Sequence, residues 1–479
     1  MIPALYERTR EEVRRSLADE VTQICITTDM WTSRANECYM AITGHYLTCD
    51  FRMKTVLISC DYFSDRHTSE NLQNFLKESL KEWGLEKKVN FAISDNAANV
   101  QNALTNLGIK HYGCYGHTLN LVVQDATGGV MSTIDKVKVI VRHFKKSTIA
   151  TEKLIKYQKS DNENEIPKKL IQEVPTRWNS MFHMIRRFVE LEAAIRATVA
   201  VIAKDLPVVS NEEWRLLSEL TKILKPFDEI TESMSGEQYI TASSVIVITK
   251  CLIRTCDKLL REGFCWPAYE VITALKRGLM ERFENVGKSR TFGICTFLDP
   301  RYKISLFEGE SEQRFVRKLV EDAITTIIDN ETRTNAPVPG VSAGTTIIEH
   351  DKFSPWSALD ELIGGTTGTP IRRVSPLAKA IQEIDRYLED EMLPIHDAER
   401  KWNCPMEWWR NNNQKYPHLA KLFLKYGNIV ATSVPCERMF SKAGLIISDR
   451  RTRLDHKKVG MIMFLNALKW VSNNLLSNR

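Results

Sequence analysis

Two hydrophobic periods divide this chain. Residues 1–20 set Leu5, Val13 and Leu17 at roughly helical spacing with charges on the other face, which predicts a helix. Three β-branched segments follow, 22–28, 38–48 and 54–62, separated by polar turns and predicted as strands. Ser69 is expected to cap a helix that runs to about Trp83 and closes at Gly84, and 89–94 reads as a fourth strand. From about 126 to 400 the period turns helical: segments 137–157, 180–203, 211–235, 242–260 and 268–286 carry apolar residues three and four apart. Residues 331–377, with Pro337, Pro339, Gly340, Gly364 and Gly365, are predicted as a mobile linker. A helix from Ser375 to Met392 and a helical C-terminal stretch complete the pattern.

Three strands, a helix and a further strand form the opening of an RNase H-like fold, in which the first and fourth strands lie side by side. The expected class is therefore α/β: an RNase H-like mixed sheet interrupted by a large all-α insertion. The expected divisions are 1–125 for the first part of the core, 126–400 for the insertion and 401–479 for the remainder. A length of 479 residues exceeds what one hydrophobic core usually organises. A net charge of +6 permits local basic patches for nucleic acid without demanding them. No apolar run reaches the roughly 18 residues of a membrane span and no signal-peptide core opens the chain, so a soluble intracellular protein without a membrane partner is expected. The 11 cysteines are scattered, odd in number and without a Cys-x-x-Cys pair, which fits a reducing compartment. No zinc finger, and no zinc, is expected in this chain.

Three carboxylates stand out within that pattern. Asp29 lies in Thr27-Thr28-Asp29-Met30-Trp31, Asp95 in Ile93-Ser94-Asp95-Asn96, and Glu437 in Pro435-Cys436-Glu437-Arg438. The first two follow strand-like runs, so neighbouring strands would make them spatial neighbours. Any one of them alone reads more readily as a strand-end turn or a helix cap. Phosphodiester chemistry on such a fold uses two divalent ions about 4 Å apart, and magnesium prefers oxygen ligands.

The words around these residues, with Cys404-Pro405-Met406-Glu407-Trp408-Trp409, Tyr416-Pro417-His418-Leu419 and Leu298-Asp299-Pro300-Arg301-Tyr302-Lys303, resemble the hAT superfamily of DNA transposases and the BED-finger host proteins derived from it. The resemblance implies that Asp29, Asp95 and Glu437 bind Mg2+ or Mn2+ and cut and join DNA. It also implies double-stranded DNA as partner, a homodimer or higher homo-oligomer formed through the C-terminal region, and a nuclear location. A domesticated, catalytically silent protein that binds DNA and regulates transcription is the alternative.

Within the family, the residues matching Trp31, Arg177 and Trp178 serve a base flipped from the stack, which needs an aromatic face. Both tryptophans could instead simply pack. His117, in Cys114-Tyr115-Gly116-His117, is expected either to donate to a phosphate or catalytic carboxylate, or to be buried and satisfied by backbone. Arg450, Arg451 and Arg453 are candidates for phosphate contacts, with a solvated face as the plainer reading. The apolar helix at 459–470 is expected to dimerise or to pack on the core.

Overall fold

The computed structural model describes residues 2–33, 36–161, 166–174, 177–202, 205–234, 241–334, 375–399, 401–446 and 455–476. The chain divides into two compact units, one formed by Met1–Thr296 with Gly427–Arg479 and the other by Phe297–Tyr426. The divisions expected near 125 and 400 are not where these units part.

The first unit opens with helix α1 (Ile2–Glu20), strands β1 (Ile24–Thr32), β2 (Cys38–Leu47) and β3 (Met53–Tyr62), helix α2 (Ser69–Glu82) and strand β4 (Val89–Ser94). Helix α3 (Ala98–Asn106), strand β5 (Lys110–Gly113) and helix α4 (Tyr115–Thr127) follow. The five strands form one mixed sheet in the order β3-β2-β1-β4-β5. Strand β2 runs antiparallel to both β1 and β3, whereas β4 runs parallel to both β1 and β5. Alternation sets the faces: Ile24 and Ile26 of β1, with Leu72, Leu76 and Leu80 of α2, enter one apolar cluster.

Local details depart from the sequence reading. Thr68, not Ser69, caps α2, its side chain accepting from the Asn71 N–H. Gly84 closes that helix at φ +66°, a conformation that favours glycine. Strand β1 continues three residues past Asp29, because its ladder with β2 holds as far as Thr32 opposite Cys38. The helix expected over 137–157 is two, α5 (Met131–Lys146) and α6 (Thr148–Asp161), parted by an extended Ser147. Likewise 180–203 becomes α7 (Trp178–Glu190) and α8 (Glu192–Ala200), and α9 (Asn211–Met234), α10 (Val245–Leu259) and α11 (Trp266–Arg282) follow.

The second unit contains α13 (Gly309–Thr334), α14 (Pro376–Glu389), α15 (Pro405–Asn412) and α16 (Pro417–Tyr426), after a helix α12 (Arg290–Leu298) that ends at its boundary. The expected linker starts too early, since α13 continues to Thr334, and ends too late, since Ser375 caps α14; its middle, 335–374, lies outside the described residues. Here two family-like words prove to be packing elements. Trp409 is fully buried against Tyr387 and Phe423, and its indole donates to the Leu298 carbonyl at 2.9 Å. Asp299 and Arg301 form a buried ion pair at 2.7 Å. The Lys303 ammonium donates to the Tyr387 and Asp390 carbonyls, each at 2.6 Å.

In the first unit again, α17 (Val434–Ile446) and α18 (His456–Leu476) return to the sheet. Val459, Met463, Phe464 and Ala467 of α18 are buried in the sheet's apolar cluster, with Phe464 edge-on to Tyr6 of α1 at 5.3 Å. A side chain at Gly460 would meet Asp61 Oδ1 at 2.5 Å, so glycine allows α18 to approach β3. These four side chains of α18 are thus packed inside the chain.

Candidate active site

Backbone pairing brings the first two carboxylates to one end of the sheet. Thr27 of β1 lies beside Ile93 of β4 in a parallel ladder, and Asp29 and Asp95 each stand two residues further on. The third arrives through α17, whose buried Cys436 donates its thiol to the Thr27 carbonyl at 3.4 Å and lies 3.2 Å from Thr27 Oγ1. Burial pushes that thiol far up and keeps it neutral, a small donor anchoring the helix to β1. Glu437, the next residue, is thereby placed in the neighbourhood of Asp29.

The electrostatics register this convergence. The Asp29 carboxyl is pushed up to about 7, chiefly by burial, with the charges of Glu437 and Asp95 adding and a hydrogen bond from the Met30 N–H at 2.8 Å opposing. Asp95 Oδ1 accepts from the Ala97 N–H at 3.4 Å, at the start of α3. The three carboxylates do not form a group whose ligand atoms all lie within 4.8 Å of one another; among the described residues the group that does is His183, Asp228 and Glu232. Glu437 is instead paired with Arg177, Nη2 to Oε2 at 3.0 Å.

Arg177 is exposed and precedes α7, so this ion pair ties the helical region to the sheet's carboxylates. Both partners are open to solvent, 59% and 38% by side chain. Arg177→Ala is therefore expected to change unfolding free energy by less than about 1 kcal/mol, the usual scale of a surface ion pair. Urea denaturation checks this, and a larger loss would mean that Arg177 holds α7 in place.

The aromatic candidates are both packed. Trp178 is 3% exposed, lies beside Phe182 and has a buried indole N–H without a partner, while its backbone N–H donates to Asn120 Oδ1 at 3.1 Å. Trp31 is half-buried and stacks on Phe440 of α17 at 6.0 Å and 17°. For both, base stacking would require the ring to leave these neighbours. His117 is exposed, which speaks against the buried, backbone-satisfied alternative of the two expected for it. The Cys-x-x-His word has a local explanation: Cys114 caps α4, its sulfur accepting from the His117 N–H at 3.4 Å and from the Ser433 N–H at 3.3 Å. Arg450, Arg451 and Arg453 lie outside the described residues.

One neighbour escaped sequence reasoning. His111 of β5 lies 2.9 Å from Ser94 Oγ; burial lowers its pKa, opposed by the Asp95 charge and by a hydrogen bond to the Asp95 backbone. Its position opposite Ala92 in the β4–β5 ladder brings it here, and nothing in its own sequence word announces that. Gly113 at the end of β5 is also required: a Cβ there would lie 2.0 Å from Asn96 Oδ1, so glycine admits the residue that follows Asp95.

Comparison with known proteins agrees with this architecture. Residues 27–112 match the ZBED1 RNase-like domain, 112–223 the ZBED1 RNase-like helical domain, and 383–468 the hAT family C-terminal dimerisation region. A protein named "Putative AC transposase" from Zea mays is 28% identical over 94% of this chain and 57% of its own length. "Zinc finger BED domain-containing protein 4" from Homo sapiens is 24% identical over 92% of the chain and 37% of its own length. "Putative transcriptional regulator tpeD" from Talaromyces stipitatus is 25% identical over 96% of the chain and 56% of its own length. The chain spans little more than half the length of the maize and fungal relatives, and less of the human one. The chain is similar to hAT-type transposases and BED zinc finger proteins, and its segments match an RNase-like domain and the hAT C-terminal dimerisation region.

Proposed function

We propose that this chain is the core of a hAT-type transposase or of a nuclear protein derived from one, built on an RNase H-like sheet, and that Asp29, Asp95 and Glu437 are its metal-binding carboxylates. The observation that carries this reading is the placement of Asp29 and Asp95 two residues beyond the paired Thr27 and Ile93, with Cys436 tying the helix of Glu437 to Thr27. A buried acid near two others is a poor device for stability and a suitable one for a cation. The donor set is all oxygen, which fits Mg2+ or Mn2+. When bound, such ions supply the charge that activates an attacking hydroxyl and stabilises a leaving oxygen in phosphodiester cleavage. The residues of the chain do the rest: Cys436 fixes the helix that carries Glu437, and His111 buttresses the turn that carries Asp95. DNA is the proposed substrate, and the dimerisation region supports a homo-oligomer.

A specific observation favours a second reading, a silent protein that binds DNA and regulates transcription. Arg177 pairs with Glu437 and supplies a positive charge at one of the three carboxylates. The two readings separate in one assay. The full chain is fused to a DNA-binding finger of known site and incubated, in Mg2+ or Mn2+, with a duplex carrying that site beside a labelled terminal repeat. Metal-dependent strand cleavage is expected; DNA binding without cleavage in either metal would leave the silent reading standing.

Phosphate contacts have their own signature. Neutralising Arg450, Arg451 and Arg453 together is expected to flatten the dependence of log K on log salt by up to about 2 to 3, close to one per lost contact. Fluorescence anisotropy across a salt series checks it, and an unchanged slope would return these arginines to a solvated face.

A further inference from the structure

We propose that α7 and α9 carry a transition-metal site, with His183, Asp228 and Glu232 as ligands to a divalent ion of the zinc type. One ligand atom from each of the three lies within 4.8 Å of the others. Two helical repeats face each other here: Asn179 and His183 are four residues apart on α7, and Asp228 and Glu232 four apart on α9, so each pair projects from one face of its helix. Their surroundings are apolar, with Phe182, Met184 and Ile185 buried on α7 and Leu224 and Phe227 buried on α9.

A polar group set into such an interface needs compensation. Asp228 is 5% exposed, and its Oδ1 accepts from Asn179 Nδ2 at 2.7 Å. The His183 ring does not complete the arrangement: its Nε2 stands 3.5 Å from the same oxygen, and its Nδ1 is buried without a partner. An imidazole and a buried carboxylate at this separation, with a second, exposed carboxylate alongside, leave room for an ion between them. The donor chemistry selects the metal. One imidazole with two carboxylates suits zinc and neighbouring transition metals better than magnesium, and three protein ligands with one side open leave a position for water. Asn179, held on Asp228, orients that carboxylate from outside.

The site is separate from Asp29, Asp95 and Glu437, and its existence does not depend on their being catalytic. It sits within two helical turns of Arg177 on α7, so a bound ion would brace the helix whose start pairs with Glu437.

The test is a calorimetric titration of the intact chain with Zn2+, alongside Co2+ absorption spectra. One ion per chain is expected in the Asp29→Asn background, where the carboxylate trio is disabled, with a Co2+ spectrum lacking thiolate charge-transfer bands, which excludes capture by the exposed Cys49 and Cys251. His183→Ala and Glu232→Gln should each weaken binding by more than about 100-fold, beyond the roughly 10–100-fold expected of groups that only orient a ligand. Glu232 is exposed, so its variant keeps the test valid should His183→Ala fail to fold. Asp29→Asn should leave this binding intact. The proposal is overturned if wild type takes up no Zn2+, if the folded variants bind it with unchanged affinity, or if binding disappears with Asp29→Asn instead.

Discussion

Asp29→Asn is expected to reduce metal-dependent DNA cleavage by more than about 100-fold while making the folded protein more stable at neutral pH. The two effects have one cause. Burial and the nearby Glu437 and Asp95 charges raise the Asp29 carboxyl from its usual 3.8 to about 7, so folding takes up a proton across that interval. Well below pH 3.8 the group is protonated in both states and contributes nothing. As pH rises through the interval, the unfolded chain ionises first and stability falls, and the loss is complete above about pH 7. At about 1.4 kcal/mol for each tenfold change in proton affinity, that loss reaches roughly 4 kcal/mol as an upper figure. An asparagine of the same shape carries no charge and escapes it. Urea denaturation of both proteins from pH 4 to pH 8 checks this: the stability difference should open with rising pH, and magnesium should close it by binding only the wild type. A variant less stable than wild type at pH 8, with no metal effect on either, would mean that Asp29 is held by other contacts and is no metal ligand.

Trp178→Ala is expected to cost about 3–5 kcal/mol of stability, the scale of truncating a buried aromatic. The ring is 3% exposed, and Phe182, Ile185 and Phe188 of the same helix are also buried. Trp178→Phe should cost far less, less than about 1.5 kcal/mol, because most of the apolar volume is kept and the indole N–H has no hydrogen bond to lose. Chemical denaturation at constant slope distinguishes the two. If Trp178→Ala costs less than about 1 kcal/mol yet weakens binding to a duplex with an unpaired flanking base, the ring is a stacking platform after all. Stacking is worth roughly 1–3 kcal/mol per base, enough to register in such a binding assay.

Much of the architecture is legible in the sequence because it rests on local periodicity. The alternating runs placed β1 through β4 to within a few residues, and the helical period placed α1, α2, α9 and α11 almost as closely. The misjudged boundaries are those where a partner element overrides the local pattern: β1 runs on past Asp29 because β2 continues to bond it, and the helix over 137–157 breaks at Ser147 although its apolar spacing does not. Likewise, the apolar stripe of α18 is visible in the sequence, but a stripe does not say whether it is meant for a second copy or for β3.

The carboxylate candidates divide in the same way. Their identities and order, and the kinship with hAT-type transposases, are properties of the sequence words alone. What brings Asp29, Asp95 and Glu437 into one electrostatic neighbourhood is the β1–β4 ladder and the Cys436 anchor, contacts between residues as much as 409 positions apart. The His111 buttress and the Arg177–Glu437 pair are likewise long-range. So is the burial of Trp178, and so is the separation that keeps the three carboxylates from closing on one point. Spacing along a chain determines which residues can share a face of one helix or strand. Burial, and with it the charge state of an acid or the accessibility of a ring, depends on which other element covers that face, and only the tertiary structure decides that.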